Sequence, residues 1–76
     1  MLIYTQSEIL VNSEHIKWIW FDEDNGRITA YMIDNTTIVL GTYGNGYEAE
    51  QIMQKIAQSY GAINTFTMPH REELKE

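Results

Sequence analysis

Residues 15–43 carry the feature that most restricts the fold: three runs of β-branched and aromatic residues separated by two turn signals. Asn25-Gly26 is the first signal, because both central positions of a type I′ turn need a positive φ. Asp34, Asn35 and Thr36 form a second cluster of turn-forming residues. The pattern predicts three consecutive antiparallel strands. Their expected ranges are 15–22, 27–33 and 37–43.

Both faces of this predicted sheet are apolar. A two-residue loop at the first turn places Trp20 opposite Tyr31, and a two-residue loop at the second places Tyr31 opposite Leu40. Because side chains alternate across a strand, each face can be written down. The first face holds Ile16, Trp18, Trp20, Tyr31, Ile33, Ile38 and Leu40. The second face holds Ile19, Phe21, Ile28, Ala30, Met32, Val39 and Gly41. An antiparallel sheet with one face in water normally alternates apolar and polar residues, so we expect both faces to be covered.

One amphipathic helix is predicted over residues 46–60, because apolar residues recur there at helical spacing. The apolar stripe consists of Ala49, Ile52, Met53, Ile56, Ala57 and Tyr60. Asn45 and Glu48 fit an N-cap and its capping-box partner, and Gly61 fits the residue that ends a helix. Short strands are expected at residues 2–5 and 9–11. Pro69 limits residues 63–68 to a short edge strand.

These elements predict an α+β fold, an antiparallel β-meander of four to five strands with one C-terminal helix packed on one face and, at most, a short edge strand after the helix. Seventy-six residues suffice for one domain. We place that domain at residues 1–69 and expect residues 70–76 to form a charged, mobile tail. Small residues on the second face let a helix come close, so we expect the helix there.

The composition argues against several classes of function. The net charge is −6, with five basic and eleven acidic residues, which disfavours direct binding to nucleic-acid phosphates and to anionic membranes. The absence of cysteine removes disulfides and thiolate metal sites and fits a cytoplasmic location. The N-terminal residues lack the basic and long apolar segments of a signal peptide. No apolar run approaches the ~20 residues of a membrane span.

Motifs for catalysis or ligand binding are weak. Residues 44–49 match the G-x-G-x-x-A pattern of dinucleotide-binding proteins, but the flanking strands predict an antiparallel meander rather than a parallel unit. Residues 22–26 are acidic like a calcium loop, yet Ile33 stands where that loop needs Glu. His15 and His70 lie far apart in the sequence, and no serine has a base beside it. We therefore expect no enzyme activity, no catalytic residue, no cofactor and no metal.

The single helix can cover only one face of the predicted sheet, which leaves the two tryptophans uncovered within one chain. A tryptophan contributes on the order of 150–250 Å², so this patch exceeds what a soluble monomer usually exposes. We predict a protein interface there, most simply with a second copy of the chain in a two-fold dimer. The predicted interface residues are Trp18, Trp20, Tyr31, Ile33 and Leu40. The alternative is that the N-terminal strands and residues 63–68 fold over this face.

The predicted function is that of a small non-enzymatic protein that self-associates, or binds another protein, through the aromatic sheet face. The alternative is an acidic, phage-type inhibitor of a host nucleic-acid enzyme. Such an inhibitor would act through the carboxylates of Asp22, Glu23 and Asp24 and those of the helix. Stacking of single-stranded nucleic acid on the tryptophans is disfavoured, because Lys17 and Arg27 are expected to point away from them.

The order of these segments resembles a group of small, uncharacterised proteins of Gram-positive bacteria and their phages or mobile elements. The similar features are the Leu-Gly-Thr-Tyr segment at 40–43, the acidic helix after it, and the Phe-Thr-Met-Pro segment at 66–69. The sequence differs from that group in Gly44-Asn45-Gly46, where a Ser or Thr cap is usual, and in Trp18 and Trp20. The group has no assigned activity. The resemblance therefore implies a fold and a bacterial or phage cytoplasm, and nothing catalytic.

Overall fold

The computed structural model describes residues 1–70 and contains six strands and one α-helix. The strands are β1 (Leu2–Tyr4), β2 (Leu10–Asn12), β3 (Ile16–Phe21), β4 (Arg27–Met32), β5 (Thr37–Thr42) and β6 (Thr65–Thr67). The helix α1 spans Gly46–Ser59, and a short 3-10 helix covers Ser13–His15. The predicted α+β class is therefore confirmed. Most of the predicted tail, residues 71–76, lies outside the described residues.

The strands form two three-stranded sheets rather than one meander of four to five strands. The first sheet is the antiparallel meander β3-β4-β5, and the second has the order β2-β1-β6. In the second sheet Ile3 lies opposite Val11 on one side and Phe66 on the other. The β1–β6 pair is parallel, which the chain can form because a long connection with a helix separates the two strands.

The first hairpin turns over residues 23–26, twice the predicted length. Asp22 donates its backbone N–H to the carbonyl of Arg27 at 3.0 Å, and Trp18 lies opposite Tyr31. The sequence prediction placed Trp20 there, so the register is wrong by two residues. A shift of two residues leaves each side chain on its face. The predicted separation of the tryptophans from Ile19 and Phe21 is therefore unaffected.

The second hairpin has an odd shift in register, and this changes which residues are buried. Tyr31 lies opposite Thr37 rather than Leu40, and the register shifts again at a bulge farther along the pair. Ile38 is now opposite Ala30, and Val39 is opposite Thr29. An odd shift exchanges the two faces. The predicted faces of Ile38, Val39 and Leu40 are therefore wrong.

A turn of three residues, 33–35, causes this shift. Met32 donates its N–H to the Thr36 carbonyl at 2.8 Å, and Asn35 adopts a φ of 73°. The Asp34 carboxylate accepts hydrogen bonds from the Thr36 hydroxyl at 2.6 Å and the Thr36 N–H at 3.1 Å. These bonds favour the charged carboxylate and hold the pKa of Asp34 below its ordinary value. The turn is thus fixed by side-chain bonds that a two-residue loop lacks.

The helix begins where the sequence predicts. The Asn45 side chain accepts a hydrogen bond from the Glu48 N–H at 2.9 Å and donates one to the Glu48 carboxylate at 3.0 Å. This contact satisfies one of the free N–H groups of the first turn. After the helix, Gly61 adopts a φ of 83°, a backbone conformation that glycine adopts readily. The predicted end at residue 60 is one residue beyond the observed end.

One hydrophobic core lies between the meander, the second sheet and the helix. Its buried residues are Ile3, Val11, Ile28, Ala30, Met32, Leu40, Tyr43, Ala49, Ile52, Ile56, Phe66 and Met68. The second sheet contributes Ile3, Val11 and Phe66 to this core, and Trp18 and Trp20 stay exposed. The alternative in which the N-terminal strands and residues 63–68 cover the tryptophans is therefore wrong.

The tip of the first hairpin packs against the loop that precedes the helix. Gly44 donates its N–H to the Asn25 carbonyl, and Gly46 donates its N–H to the Glu23 carbonyl, both at 2.9 Å. A Cβ added at Gly46 would lie 2.9 Å from the Glu23 Cα. The Gly-Asn-Gly run is therefore explained by this contact. The two N–H groups that a pyrophosphate would need are already bonded to carbonyls.

Gly26 and Gly61 provide a matched test of this contact. Both have a positive φ, 69° and 83°, but a Cβ at Gly26 would lie 2.5 Å from the Asn45 carbonyl oxygen while one at Gly61 meets nothing within 4 Å. A left-handed backbone costs a non-glycine residue roughly 1–2 kcal/mol. We expect Gly61→Ala to lower the free energy of unfolding by about that amount. Gly26→Ala should lower it by more than about 3 kcal/mol or prevent folding, because backbone must also move. Urea denaturation followed by circular dichroism measures both, and equal losses would contradict the docking contact.

Candidate protein interface

The exposed side of the β3-β4-β5 meander forms a mostly apolar surface. We define the aromatic face as Trp18, Trp20, Tyr31 and Val39. Trp18 and Trp20 are each 56% exposed and Val39 is 45% exposed, whereas Tyr31 is partly buried. Thr29 lies opposite Trp20 and Val39 on the central strand. The aromatic face is therefore available to a partner in the described structure.

Two rings of the aromatic face are held against each other. Trp18 lies opposite Tyr31 in the sheet register, and their ring centroids are 5.4 Å apart with a tilt of 32° between the planes. Such aromatic pairs contribute about 0.5–1.5 kcal/mol beyond the area that they bury. The pair reduces the side-chain freedom that binding would otherwise remove. The face is thus partly ordered before any partner arrives.

A bulge between Ile16 and Trp18 gives Lys17 an unexpected position. Ile16 lies opposite Met32 and packs against the core, so its predicted place beside the tryptophans is wrong. Lys17 is the additional residue, and its Nζ lies 5.2 Å from the centroid of the Trp18 ring. The same Nζ donates a hydrogen bond to Asn35 Oδ1 at 2.8 Å. The prediction that Lys17 points away from the tryptophans is therefore also wrong, and a cation lies at the rim of the aromatic face.

Leu40, a predicted interface residue, lies in the core. Its side chain has no exposed surface, because the odd register of the second hairpin puts Val39 on the exposed face, and Leu40 is the extra residue of the bulge between Val39 and Gly41. Val39 takes its place on the exposed side. Gly41 is the signal that could have revealed this, since glycine inside a strand often marks a bulge. Ile33, the remaining predicted residue, follows β4 directly and is 59% exposed.

A groove runs beside β3 at the side of the sheet. We call it the β3 groove; its volume is about 350 Å³. Its walls include Ile16, Trp18 and Ile19 from β3 and Met53, Ala57 and Tyr60 from the helix. No charged side chain lines it among the described residues. Trp18 belongs to both the groove and the aromatic face, so the two apolar surfaces are continuous.

The carboxylates of the hairpin tip meet those of the helix at another end of the molecule. Glu23, Glu50 and the exposed Tyr47 line one hollow there. Docking of the tip on the Gly44–Gly46 loop brings these residues together. The hollow is acidic and lies on the helix side of the hairpin tip, away from the aromatic face.

Arrangements for metal binding are absent from the part of the chain that the structure describes. Among residues 1–70 no three His, Cys, Asp or Glu side chains come together as a metal-binding group. His15 is the last residue of the short 3-10 helix and His70 lies beyond Pro69, and both are exposed. Within the same residues, no helix has the length and apolar character needed to span a membrane.

Comparisons with protein-family models, with curated proteins and with solved structures found no match to this chain. The resemblance to small proteins of Gram-positive bacteria and phages therefore stays a prediction.

Leu40 and Val39 are neighbours whose burial the register decides, so they test the placement of the aromatic face. We expect Leu40→Ala to lower the free energy of unfolding by about 2–5 kcal/mol, because it leaves a cavity in the core. Val39→Ala should change it by less than about 1 kcal/mol, because that side chain is largely exposed. Chemical denaturation of the two variants gives the comparison. A larger loss for Val39→Ala would support the register first predicted from the sequence.

Proposed function

We propose that the protein is a non-enzymatic interaction module that binds a second copy of itself through the aromatic face. One observation carries this proposal: Trp18 and Trp20 are each more than half exposed on the same face of the sheet, and both the helix and the second sheet pack on the other face. Tryptophan and tyrosine dominate the energetics of protein interfaces. A face that presents both, already partly ordered, is suited to binding protein.

The dimensions of the face bound the strength of this binding. Three strands about 4.8 Å apart, with six residues at about 3.4 Å each, span a flat area of roughly 14 × 20 Å, or about 290 Å². Side chains that project from the sheet raise the accessible area above the flat area. Even if they double it, the area of the face stays below the ~800 Å² that each partner buries in a standard interface. The face by itself therefore supports a weak, concentration-dependent dimer with a dissociation constant on the order of micromolar or higher.

The distribution of charge favours a second copy as the partner. The chain has a net charge of −6, so two copies repel each other at long range. None of the residues that define the aromatic face is acidic. The Lys17 ammonium lies at its rim, and exposed Arg27 alternates onto the same side of β4 as Thr29 and Tyr31, so the prediction that Arg27 points away from the tryptophans is wrong. Two copies can therefore meet through this face without placing one carboxylate against another.

Trp20→Ala tests the proposal most directly, because Trp20 belongs to the aromatic face but not to the residues that line the β3 groove. We expect the dimer to weaken about 30-fold, the effect of losing an interface anchor that contributes about 2 kcal/mol. The free energy of unfolding of the Trp20→Ala variant should change little, because the Trp20 side chain is mostly exposed. Sedimentation equilibrium over a range of concentrations measures the dissociation constant.

Tyr47→Ala is the matched control for that experiment. Tyr47 is also a large aromatic residue, 73% exposed, but it lies in the first turn of the helix. We expect its removal to leave the dimer unchanged. A wild-type protein that stays monomeric at millimolar concentration would overturn the proposal. Equal weakening by both variants would place the interface elsewhere.

A second candidate function uses the acidic end of the molecule. The hairpin tip and the helix bring Glu23 and Glu50 to one hollow, next to Asp22 and Asp24 of the same tip. Clustered carboxylates can compete with nucleic acid for the basic surface of an enzyme. This observation favours the inhibitor of a host nucleic-acid enzyme as the alternative function.

The combined variant Glu23→Gln, Asp24→Asn and Glu50→Gln tests this alternative. We expect wild-type protein to inhibit a basic nucleic-acid enzyme of a bacterial host, and the variant to inhibit it much less. The inhibition should also weaken as salt is added, because screening shortens the reach of exposed charges. Enzyme assays over a salt series provide the measurement. Inhibition that the variant retains, or that high salt does not reduce, would contradict it.

A further inference from the structure

We propose that two copies join through strand β3, edge to edge and antiparallel, about a two-fold axis at Ile19. The two meanders then form one six-stranded sheet, with the four tryptophans in a single row on its aromatic face. This inference rests on the proposed self-association and specifies a geometry in which Trp18 and Trp20 meet the partner side by side, while the rest of the aromatic face stays uncovered. Four features of the described residues support it: the open edge of β3, the position of the tryptophans, the charge along the strand and the adjoining groove.

The two edges of the meander differ in their hydrogen bonding. At the β5 edge, Gln6 donates its N–H to the Leu40 carbonyl at 2.9 Å, and its side-chain oxygen accepts the Thr42 N–H at 2.8 Å. The β3 edge has no comparable cover within residues 1–70. One edge is therefore occupied by the chain itself, and the other can receive a strand.

The outward-facing groups of β3 follow from its pairing with β4. The bond from the Asp22 N–H to the Arg27 carbonyl identifies their pair as a hydrogen-bonded one. Such pairs alternate along an antiparallel ladder, so Trp20 and Trp18 also bond to β4. The N–H and C=O groups of Ile19 and Phe21 then point outward, and no described group bonds to them there. They are the groups that a second β3 strand would use.

The strand lacks most features that protect a natural sheet edge. Proline, inward-pointing charges, short length, lysines and β-bulges usually prevent such pairing. β3 has six residues, and its central run from Trp18 to Phe21 contains neither proline nor a charge. Its one lysine lies in the bulge at the start of the strand. The central run is therefore free to pair.

An antiparallel pairing centred on Ile19 places Trp18 opposite the partner's Trp20, and Trp20 opposite the partner's Trp18. These would be non-hydrogen-bonded positions between the two strands, where opposing side chains come closest, with Cα atoms about 4.5 Å apart. Aromatic pairs at such positions stabilise antiparallel strands. The side-by-side arrangement thus uses the same two residues that the proposed function depends on.

In the antiparallel orientation, the basic start of β3 in one copy faces the acidic end of β3 in the other. The strand begins near His15 and Lys17 and ends before the acidic run 22–24. Antiparallel pairing brings Lys17 next to the acidic run of the partner, and this contact occurs twice by symmetry. A parallel pairing would instead place the acidic runs of the two copies together. The charge pattern therefore selects the antiparallel arrangement and a second copy as the occupant.

The β3 groove supplies apolar area that the aromatic face alone lacks. The side chains of Ile19 and Phe21 lie on the helix side of the sheet, opposite Ala30 and Ile28. A second β3 strand beside the first would bring the partner's Ile19 and the partner's Phe21 over the groove walls formed by Met53 and Tyr60. Both sides of the paired strands would then bury apolar surface.

Amide hydrogen exchange measured by NMR at low and high protein concentration tests this geometry. We expect the amides of Ile19 and Phe21 to become at least tenfold more protected as the dimer forms. The amides of Trp18 and Trp20 already bond to β4 and should change much less. A dimer without added protection at Ile19 and Phe21 would overturn the edge pairing and leave the aromatic face as the interface. A protein that stays monomeric would overturn both.

Charge reversal gives a second, independent test. Lys17→Glu and Asp24→Lys should each weaken the dimer about tenfold, because each places like charges together at both symmetric contacts. The double variant restores opposite charges and should regain most of the wild-type affinity. Lys55→Glu, on the exposed side of the helix, is the control and should have little effect. A double variant as weak as the two single variants would overturn the pairing.

Discussion

The docking of the first hairpin tip on the loop before the helix is the contact on which the rest of the structure depends. Three backbone bonds make it: Tyr43 to the Gly26 carbonyl at 3.0 Å, and Gly44 and Gly46 to carbonyls of the tip at 2.9 Å. They fix the point at which the chain leaves the meander and starts the helix. The helix must then pack on the face with Ile28 and Ala30. The opposite face remains uncovered as a result.

Local signals predicted much of this architecture. The strands, the N-cap at Asn45 and the exposure of both tryptophans follow from turn residues and side-chain periods within a few positions. The two-sheet topology could not be predicted in this way, because β1 and β6 pair from opposite ends of the chain. The error at Leu40 has a different cause. One bulge and a turn longer than two residues reverse the faces of a strand, and the sequence only hints at them through Gly41 and Asp34.

The aromatic face is also more polar than the sequence suggested. Two apolar residues expected on this face, Leu40 and Ile16, pack toward the core instead. Two polar residues, Thr29 and Thr37, lie on it. The surface that a partner would meet is therefore less apolar. The interfaces of obligate dimers are as apolar as a protein core, whereas those of transient dimers mix polar and apolar groups. The observed face matches the second kind. This explains how a small chain can be folded by one core and still keep two tryptophans in contact with water.

Gln6 has a consequence for how far assembly could proceed. A sheet open at both sides can add copies without limit, which is the route to fibres. Because Gln6 occupies the side formed by β5, the β3-β4-β5 meander offers, within residues 1–70, only its β3 edge to a further strand. Pairing through the meander would then stop at two chains, because Gln6, far from the tryptophans, closes the other edge of that sheet.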